Sequence, residues 1–191
     1  MTYDTNCRYF EKAGDANTRD VLEAASQRAR QLGVCTVLVA TCSGKTAMEA
    51  IDYLGPDVQM IAVTHYTGFM RPDHQEMKDE TRRTLNEKGV RVLTCQHAFG
   101  GVGRGIRRKL NTYQVDEIMA YTLRMFGQGT KVAVELALMA ADAGLVRTDE
   151  DVISIGGTAT GADTALLLRP ANSSDLFNLK VKEIICKPST F

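Results

Sequence analysis

Three short apolar runs, each separated from the next by a segment with helical spacing, constrain the fold of this chain more than any other feature. The runs cover residues 34–40, 58–65 and 90–95 and are rich in Val and Ile, as in strands buried on both faces. Helical sequence at residues 46–54 and 74–88 separates them. Because repeated strand–helix–strand units connect parallel strands, the pattern predicts a parallel α/β sheet.

Further helices are predicted before and after this repeat. An N-terminal helix begins at Asn17 or Thr18, either of which can cap it, and ends at Gly33. Residues 114–126 and 129–144 predict two more helices. The second of these is apolar nearly all round, so we expect it to be the most deeply buried helix.

The last third of the chain predicts strands at residues 152–156, 164–170 and 181–188. The loop between the first two is too short for a crossover, which forces antiparallel pairing and makes the sheet mixed at that edge. Residues 6–10 can add another edge strand. Without an internal repeat or a Pro/Gly-rich linker, residues 1–191 are expected to form one domain.

Composition excludes some partners and favours one compartment. The 23 basic and 23 acidic residues balance, so no global field attracts nucleic acid or an anionic membrane, and neither partner is expected. Five cysteines without a C-x-x-C pair argue against a disulfide framework and for the cytoplasm. No signal peptide is evident, and Glu135 and Asp142 interrupt the longest apolar stretch, so no membrane span is expected.

The segment TCSGKT, residues 41–46, ends like the phosphate loop of nucleotide hydrolases. That motif needs a glycine five residues before Gly44, because the backbone folds around the phosphates there, but Val39 occupies the position. No later strand ends in the acidic residue that would complete a magnesium site. An NTPase is therefore only an outside hypothesis.

Ser43, Gly44 and Thr46 still lie between the end of a strand and the start of a helix. Free backbone N–H groups and the helix dipole favour an anion at such a place, and small hydroxylated residues let it approach. The segment therefore predicts a phosphate or carboxylate site. The structural alternative is that Ser43 only caps the next helix.

The other unusual loops are expected at the same edge of the sheet, where α/β proteins bind ligands. Their notable residues are His65 and Gly68 after the second strand, His97, Gly103 and Arg104 after the third, and Gly157, Thr158, Asp163 and Thr164 after the fourth. Glycine-rich loops let the backbone approach a ligand. Arg104, between two glycines, is the preferred functional arginine, whereas Arg107, Arg108 and Lys109 fit a solvated helix face.

Several of these residues admit both a chemical and a structural interpretation. His65 and His97 can perform acid–base chemistry, or can shape the pocket through hydrogen bonds to the backbone. They can join Cys95 at zinc, but no spacing typical of a metal motif is present, so no metal site is predicted. Asp163 and Thr164 can bind a polar group or stabilise a turn. Cys42 can be a nucleophile, although the sequence assigns it no base.

Four motifs together resemble a known family. TCSGKT, GGVGRG, residues 117–145 and residues 153–171 are similar to the pyruvate kinase alpha/beta domain-like family, stand-alone archaeal and bacterial relatives of that enzyme's C-terminal domain. The resemblance extends from Cys7 to Pro188. It implies a three-layer α/β/α fold around a mixed sheet whose last principal strand is antiparallel.

The resemblance also implies a ligand. In pyruvate kinase the corresponding domain holds a sugar-bisphosphate effector with a T-x-S-G-x-[ST] loop, which Thr41, Ser43, Gly44 and Thr46 match while Lys45 takes the variable position. Stand-alone members resemble binders of flavin mononucleotide (FMN), with the phosphate in this loop and the ring beside the glycine-rich segments. The barrel that performs pyruvate kinase chemistry is absent, so kinase activity does not follow.

Two function classes remain. One is the binding of FMN or a similar phosphorylated small molecule, which includes a flavin-dependent oxidoreductase. The other is a non-enzymatic sensor of a phosphorylated metabolite, so whether the chain is an enzyme stays open. The apolar helices and an exposed sheet edge also predict self-association.

Overall fold

Seven strands form the sheet of the computed structural model, which describes residues 2–191. The strands are β1 (Arg8–Lys12), β2 (Thr36–Ala40), β3 (Gln59–Thr64), β4 (Arg91–Thr94), β5 (Val152–Gly156), β6 (Thr164–Arg169) and β7 (Lys180–Thr190). Their order across the sheet is β1-β7-β6-β5-β2-β3-β4. Strand β6 is antiparallel to both of its neighbours, and the other neighbouring pairs are parallel.

The mixed, mostly parallel sheet predicted from the sequence is confirmed. Strand β6 pairs antiparallel with β5 because the connection between them is short. It does not form the outer margin, since β7 pairs with its other side and β1 adds next to β7. The predicted N-terminal edge strand is therefore present.

Helices cover both faces of the sheet. They are α1 (Thr18–Leu32), α2 (Lys45–Ala50), α3 (Asp79–Glu87), α4 (Val102–Leu110), α5 (Val115–Arg124) and α6 (Gln128–Asp142). Because successive strand residues point to opposite faces, Val37 and Val39 pack in one core with α1, while Leu38 packs in the other core with α6. The three-layer α/β/α arrangement is confirmed.

Helix α6 is the deeply buried helix predicted from its sequence, and residues 133–141 are all buried. It also buries a charge pair, Lys131 and Glu135. The second carboxylate oxygen of Glu135 accepts a hydrogen bond from the backbone N–H of Phe99 at 2.9 Å. Pairing and hydrogen bonding offset part of the cost of removing these charges from water.

Three details of the helices differ from the sequence prediction. Helix α3 begins at Asp79 instead of residue 74, because Gln75 and Glu76 use their side chains to bind His65. Helix α2 ends at Ala50 instead of residue 54. Asn17 does not cap α1, since its side-chain amide donates to backbone carbonyls that precede it.

The segment predicted as a glycine-rich loop after β4 is largely helix α4, so Gly103 and Arg104 lie in its first turn. Packing explains this glycine. A Cβ atom on Gly103 would lie 2.5 Å from the carboxylate oxygens of Asp116, at the start of α5. The glycine therefore serves the contact between two helices.

Helices α4 and α5 and their connections expose a row of large apolar side chains. These are Val102, Leu110, Tyr113, Val115, Ile118, Tyr121, Met125 and Phe126. Self-association through the apolar helices stays a prediction. Among residues 2–191, no helix is both long and apolar enough to cross a membrane.

Candidate functional site

A cavity of about 580 Å³ opens at the carboxyl ends of β2 and β5, within the size range of small-molecule sites. Three helices begin at its wall, with Thr18 of α1, Lys45 of α2 and Gln128 of α6 among the lining residues. The first N–H groups of a helix lack intrahelical partners, and its dipole is positive at that end. The starts of three helices therefore meet at one cavity, where the N–H of Thr18 donates to the Asp15 carbonyl and that of Gly44 to the Thr41 hydroxyl.

The 41–46 loop forms one wall of this cavity. Thr41, Ser43, Lys45 and Thr46 line it. Gly44 turns the chain in the left-handed conformation (φ 97°), and a Cβ atom there would clash with the Thr81 methyl group. Helix α2 has no side-chain cap, so the interpretation of Ser43 as a helix cap is wrong.

The loop after β5 forms the opposite wall. Gly157, Ala159, Thr160 and Gly161 line the cavity. The hydroxyl oxygen of Thr158 is buried and has no hydrogen-bond partner among residues 2–191. An unpaired hydroxyl of this kind is costly unless another group satisfies it.

Asp163 and Thr164 lie behind this wall and do not line the cavity. Both are fully buried. One carboxylate oxygen of Asp163 accepts a hydrogen bond from the Gly14 backbone N–H at 3.1 Å, and the other accepts from the Thr164 hydroxyl at 2.8 Å. The geometry therefore favours the turn-stabilising role.

Cys42, His65 and Glu76 form a hydrogen-bonded chain at a third side of the cavity. The Sγ atom of Cys42 lies 3.3 Å from Nε2 of His65, and Nδ1 of His65 lies 2.6 Å from a carboxylate oxygen of Glu76. Burial, and secondly the charge of Glu76, raises the pKa of Cys42 to about 11. The thiol is therefore neutral near neutral pH.

These three residues are also the one group of potential metal ligands within residues 2–191, with donor atoms within 4.8 Å of one another. The zinc grouping considered from the sequence, with Cys95 and His97, is not the one that the fold assembles. Glu76 already binds Nδ1 of His65. A carboxylate bonded to Nδ1 in this way commonly orients a histidine from outside a metal's ligand shell, so the bond favours an orienting role for Glu76 over a ligand role.

Aromatic rings extend from His65 away from the cavity. Phe69 stacks on His65 with ring centres 3.8 Å apart, and His97 lies 5.3 Å from His65. The Arg104 guanidinium lies 4.4 Å from the centre of the Phe69 ring. Gly68 turns the chain beside this cluster (φ 92°). His97 and Arg104 thus reach the site through ring contacts and do not line the cavity.

Burial lowers the pKa of His97 to about 4, and the charges of Lys131 and Arg104 add to this effect, while Glu135 opposes it. His97 is therefore neutral near neutral pH. Burial likewise lowers the pKa of Lys131, against the attraction of Glu135. His97 consequently adds little positive charge to the site.

The charges at the cavity wall nearly cancel. Arg19 and Lys45 are opposed by Asp15 and Glu49. Attraction for an anion must therefore come from the helix starts and hydroxyl groups as much as from side-chain charge. Sequence reasoning missed the 15–19 segment and Gln128, because only the fold brings the starts of α1 and α6 to this edge.

A family model described as pyruvate kinase, alpha/beta domain, matches residues 19–168. The chain belongs to the pyruvate kinase alpha/beta domain family. The match runs from α1 to β6 and so includes both loops that form the cavity. The family inferred from the sequence motifs is confirmed.

Crystal structures of pyruvate kinase from Cryptosporidium parvum are similar to this chain. The match with one of them has 16% sequence identity and a TM-score of 0.44, and it covers 83% of this chain and 23% of the pyruvate kinase chain. The match with another has 15% sequence identity and a TM-score of 0.42, and it covers 84% of this chain and 24% of the pyruvate kinase chain. The chain thus spans about a quarter of the length of these enzymes.

Proposed function

We propose that the cavity binds a small molecule through its phosphate group, with FMN as the first candidate. One observation carries the proposal: three helix starts and the hydroxyls of the 41–46 loop converge on one cavity of suitable size. Helix N-termini at the carboxyl ends of parallel strands bind phosphate in many α/β proteins. Helix α2 alone is short, so the starts of the longer α1 and α6 strengthen the case.

The residues present fit FMN in two respects. Ser43, Lys45 and Thr46 would hold the phosphate, while Ala40 and Val132 give the cavity apolar wall for a ring system. Thr158, predicted from the sequence, does not line the cavity, so its buried hydroxyl is not one of these contacts. When bound, flavin supplies hydride and electron transfer, and the chain's own groups bind and orient it.

We also propose that the protein is cytoplasmic. All five cysteines are free, as expected where glutathione keeps thiols reduced. An oxidoreductase and a sensor of a phosphorylated metabolite both require this binding step, so binding is the property to test first.

The test compares FMN with riboflavin, which differs only in lacking the phosphate. Calorimetric titration of the purified protein should show at least a tenfold tighter Kd for FMN, since a charge-assisted hydrogen bond contributes about 1.5–3 kcal/mol. Denaturation followed by mass spectrometry identifies any molecule that copurifies.

Paired variants locate the phosphate. Ser43→Ala should reduce the FMN preference, whereas Ser173→Ala, at an exposed site away from the cavity, should leave it unchanged. Equal affinity for FMN and riboflavin would contradict FMN recognition through the phosphate. A different phosphate compound released on denaturation would keep the phosphate site and replace the ligand.

A further inference from the structure

We propose that Cys42, His65 and Glu76 form a thiol nucleophile site that accepts the acyl group of a small ester or thioester. This activity goes beyond phosphate binding and shares only the cavity with it. The three side chains meet the geometric signature of an activated nucleophile, in which a base reaches the nucleophile and a third group orients the base. Cys42 and His65 both line the cavity.

The imidazole of His65 is held in one orientation. Glu76 fixes Nδ1 at 2.6 Å, and Phe69 stacks on the ring. The side-chain amide of Gln75 donates to the His65 carbonyl at 3.0 Å, while its oxygen accepts from the Met77 backbone N–H. These bonds explain why residues 74–78 leave the helix that the sequence predicts there.

Glu76 also selects the tautomer. A carboxylate accepts a hydrogen bond from Nδ1–H, so Nε2 carries the lone pair and faces Cys42. The resting thiol is neutral, because burial raises its pKa, and the proton must leave during the attack itself. His65 is placed to take it, and Glu76 is a positioning residue.

Each step balances with water as the only further reactant. The Cys42 sulfur bonds to the acyl carbon, its proton passes to Nε2 of His65, and His65 returns the proton to the departing alcohol or thiol. Water, deprotonated by His65, then attacks the acyl-cysteine and releases the carboxylic acid and the free thiol.

Disulfide chemistry is a poorer fit. Within residues 2–191, Cys7, Cys35 and Cys95 line other cavities and Cys186 is buried in β7. No second thiol therefore lines this cavity to resolve an oxidised Cys42.

Charged groups from several elements face the site. Glu76 contacts His65 directly, and His97 lies beside its ring after β4. Lys45 and Glu49 of α2 line the same cavity, as do Asp15 and Arg19 at the start of α1. The opposite charges balance within each of these two pairs, so Glu76, which contacts the ring nitrogen, is the dominant charge on the imidazole.

The test treats the full chain with p-nitrophenyl acetate at pH 7. Nitrophenolate release measures the rate, and peptide mass spectrometry identifies the acetylated residue. The wild-type protein should acetylate Cys42, and His65→Asn should slow this about 100-fold, since a general base contributes on the order of 10²–10⁴. His74→Asn and Cys35→Ser are the matched controls and should leave the rate unchanged. Melting temperatures verify folding.

The pH profile separates chemistry from structure. Wild-type acetylation should rise to a plateau as the pH is raised, and Glu76→Gln should move the midpoint of this rise to lower pH, because it removes the negative charge beside the imidazole. Phe69→Leu keeps base and carboxylate and should retain the wild-type midpoint. A rate that rises only at strongly alkaline pH, or acetylation that survives His65→Asn, would overturn the proposal.

Inorganic phosphate distinguishes this proposal from phosphate binding. Protection of Cys42 by phosphate supports both. His65-dependent acetylation without protection supports the thiol site and contradicts phosphate binding beside it. Phosphate binding in a protein whose Cys42 stays unmodified overturns the thiol site alone.

Discussion

The backbone N–H of Gly44 donates a hydrogen bond of 3.1 Å to the hydroxyl of Thr41. This bond closes the loop between β2 and α2, and both residues are buried. Thr41 therefore holds the loop in shape, while Ser43 at its exposed corner remains available to a ligand. The T-x-S-G pattern thus has a structural part in Thr41, and we propose Ser43 as its binding part.

Replacing Thr41 with Val should lower the free energy of unfolding by about 1–3 kcal/mol, because the buried Gly44 N–H loses its acceptor. Thr41→Ser keeps the hydroxyl and is the matched control. Urea unfolding gives both values. Equal stability of the two variants would show that the Thr41 bond does not hold the loop.

Replacing Glu135 with Gln should lower the free energy of unfolding by about 3–5 kcal/mol, because Lys131 would remain buried and charged without a partner. Gln can still accept the Phe99 hydrogen bond, so the change isolates the charge. Asp149→Asn breaks an exposed pair with Arg147 and should cost under about 1 kcal/mol. Similar losses in both variants would contradict the burial argument.

Stability should fall as the pH is lowered from about 6.5 to about 4. His97 has a pKa of about 4 in the folded protein and 6.5 as its ordinary value, so the unfolded chain binds more protons in this window. This difference in the pKa of His97 corresponds to roughly 3 kcal/mol of unfolding free energy.

Unfolding of the wild type and of His97→Gln at several pH values measures this contribution, and proton NMR of the His97 ring measures its pKa directly. In His97→Gln the free energy of unfolding should depend less on pH between about 4 and 6.5, whereas His74→Gln should keep the pH dependence of the wild type. A His97 that titrates near pH 6.5 in the folded protein would contradict its burial.

Replacing Asp163 with Asn should loosen the N-terminal segment, because the side chain bonds both Gly14 and Thr164 and an amide cannot accept from both in the same way. The free energy of unfolding should fall by about 1–3 kcal/mol, and the Gly14 amide should exchange its hydrogen faster. Asp151→Asn, which affects a half-buried carboxylate at the sheet end, should leave Gly14 exchange unchanged. Slow exchange at Gly14 in Asp163→Asn would show that the bond is dispensable.

Regular patterns predicted most of the fold. Valine and isoleucine runs located β2 to β4, and the nearly all-round apolar character of residues 129–144 identified the buried helix. The first turn of α4 was missed because Gly103 and Gly105 indicate a loop locally, whereas the helix there depends on close packing against Asp116. Long-range packing of this kind leaves no local signal.

The site was predicted only in part for a similar reason. Strand-end loops pointed to Ser43, His65 and Gly157, which do line one cavity. Glu76 was assigned to a helix because its neighbours are charged and helix-favouring, and only the fold shows that it orients His65. A base for Cys42 therefore emerged from the structure alone.

Phosphate binding at the cavity is tested most directly by an amide NMR titration of the protein with FMN. The amide signals of Ser43, Gly44 and Thr46 should shift together with those of residues 157–161, and riboflavin should leave the first three in place. Shifts confined to the opposite end of the sheet, or no shifts with FMN at saturating concentration, would contradict FMN binding at this cavity.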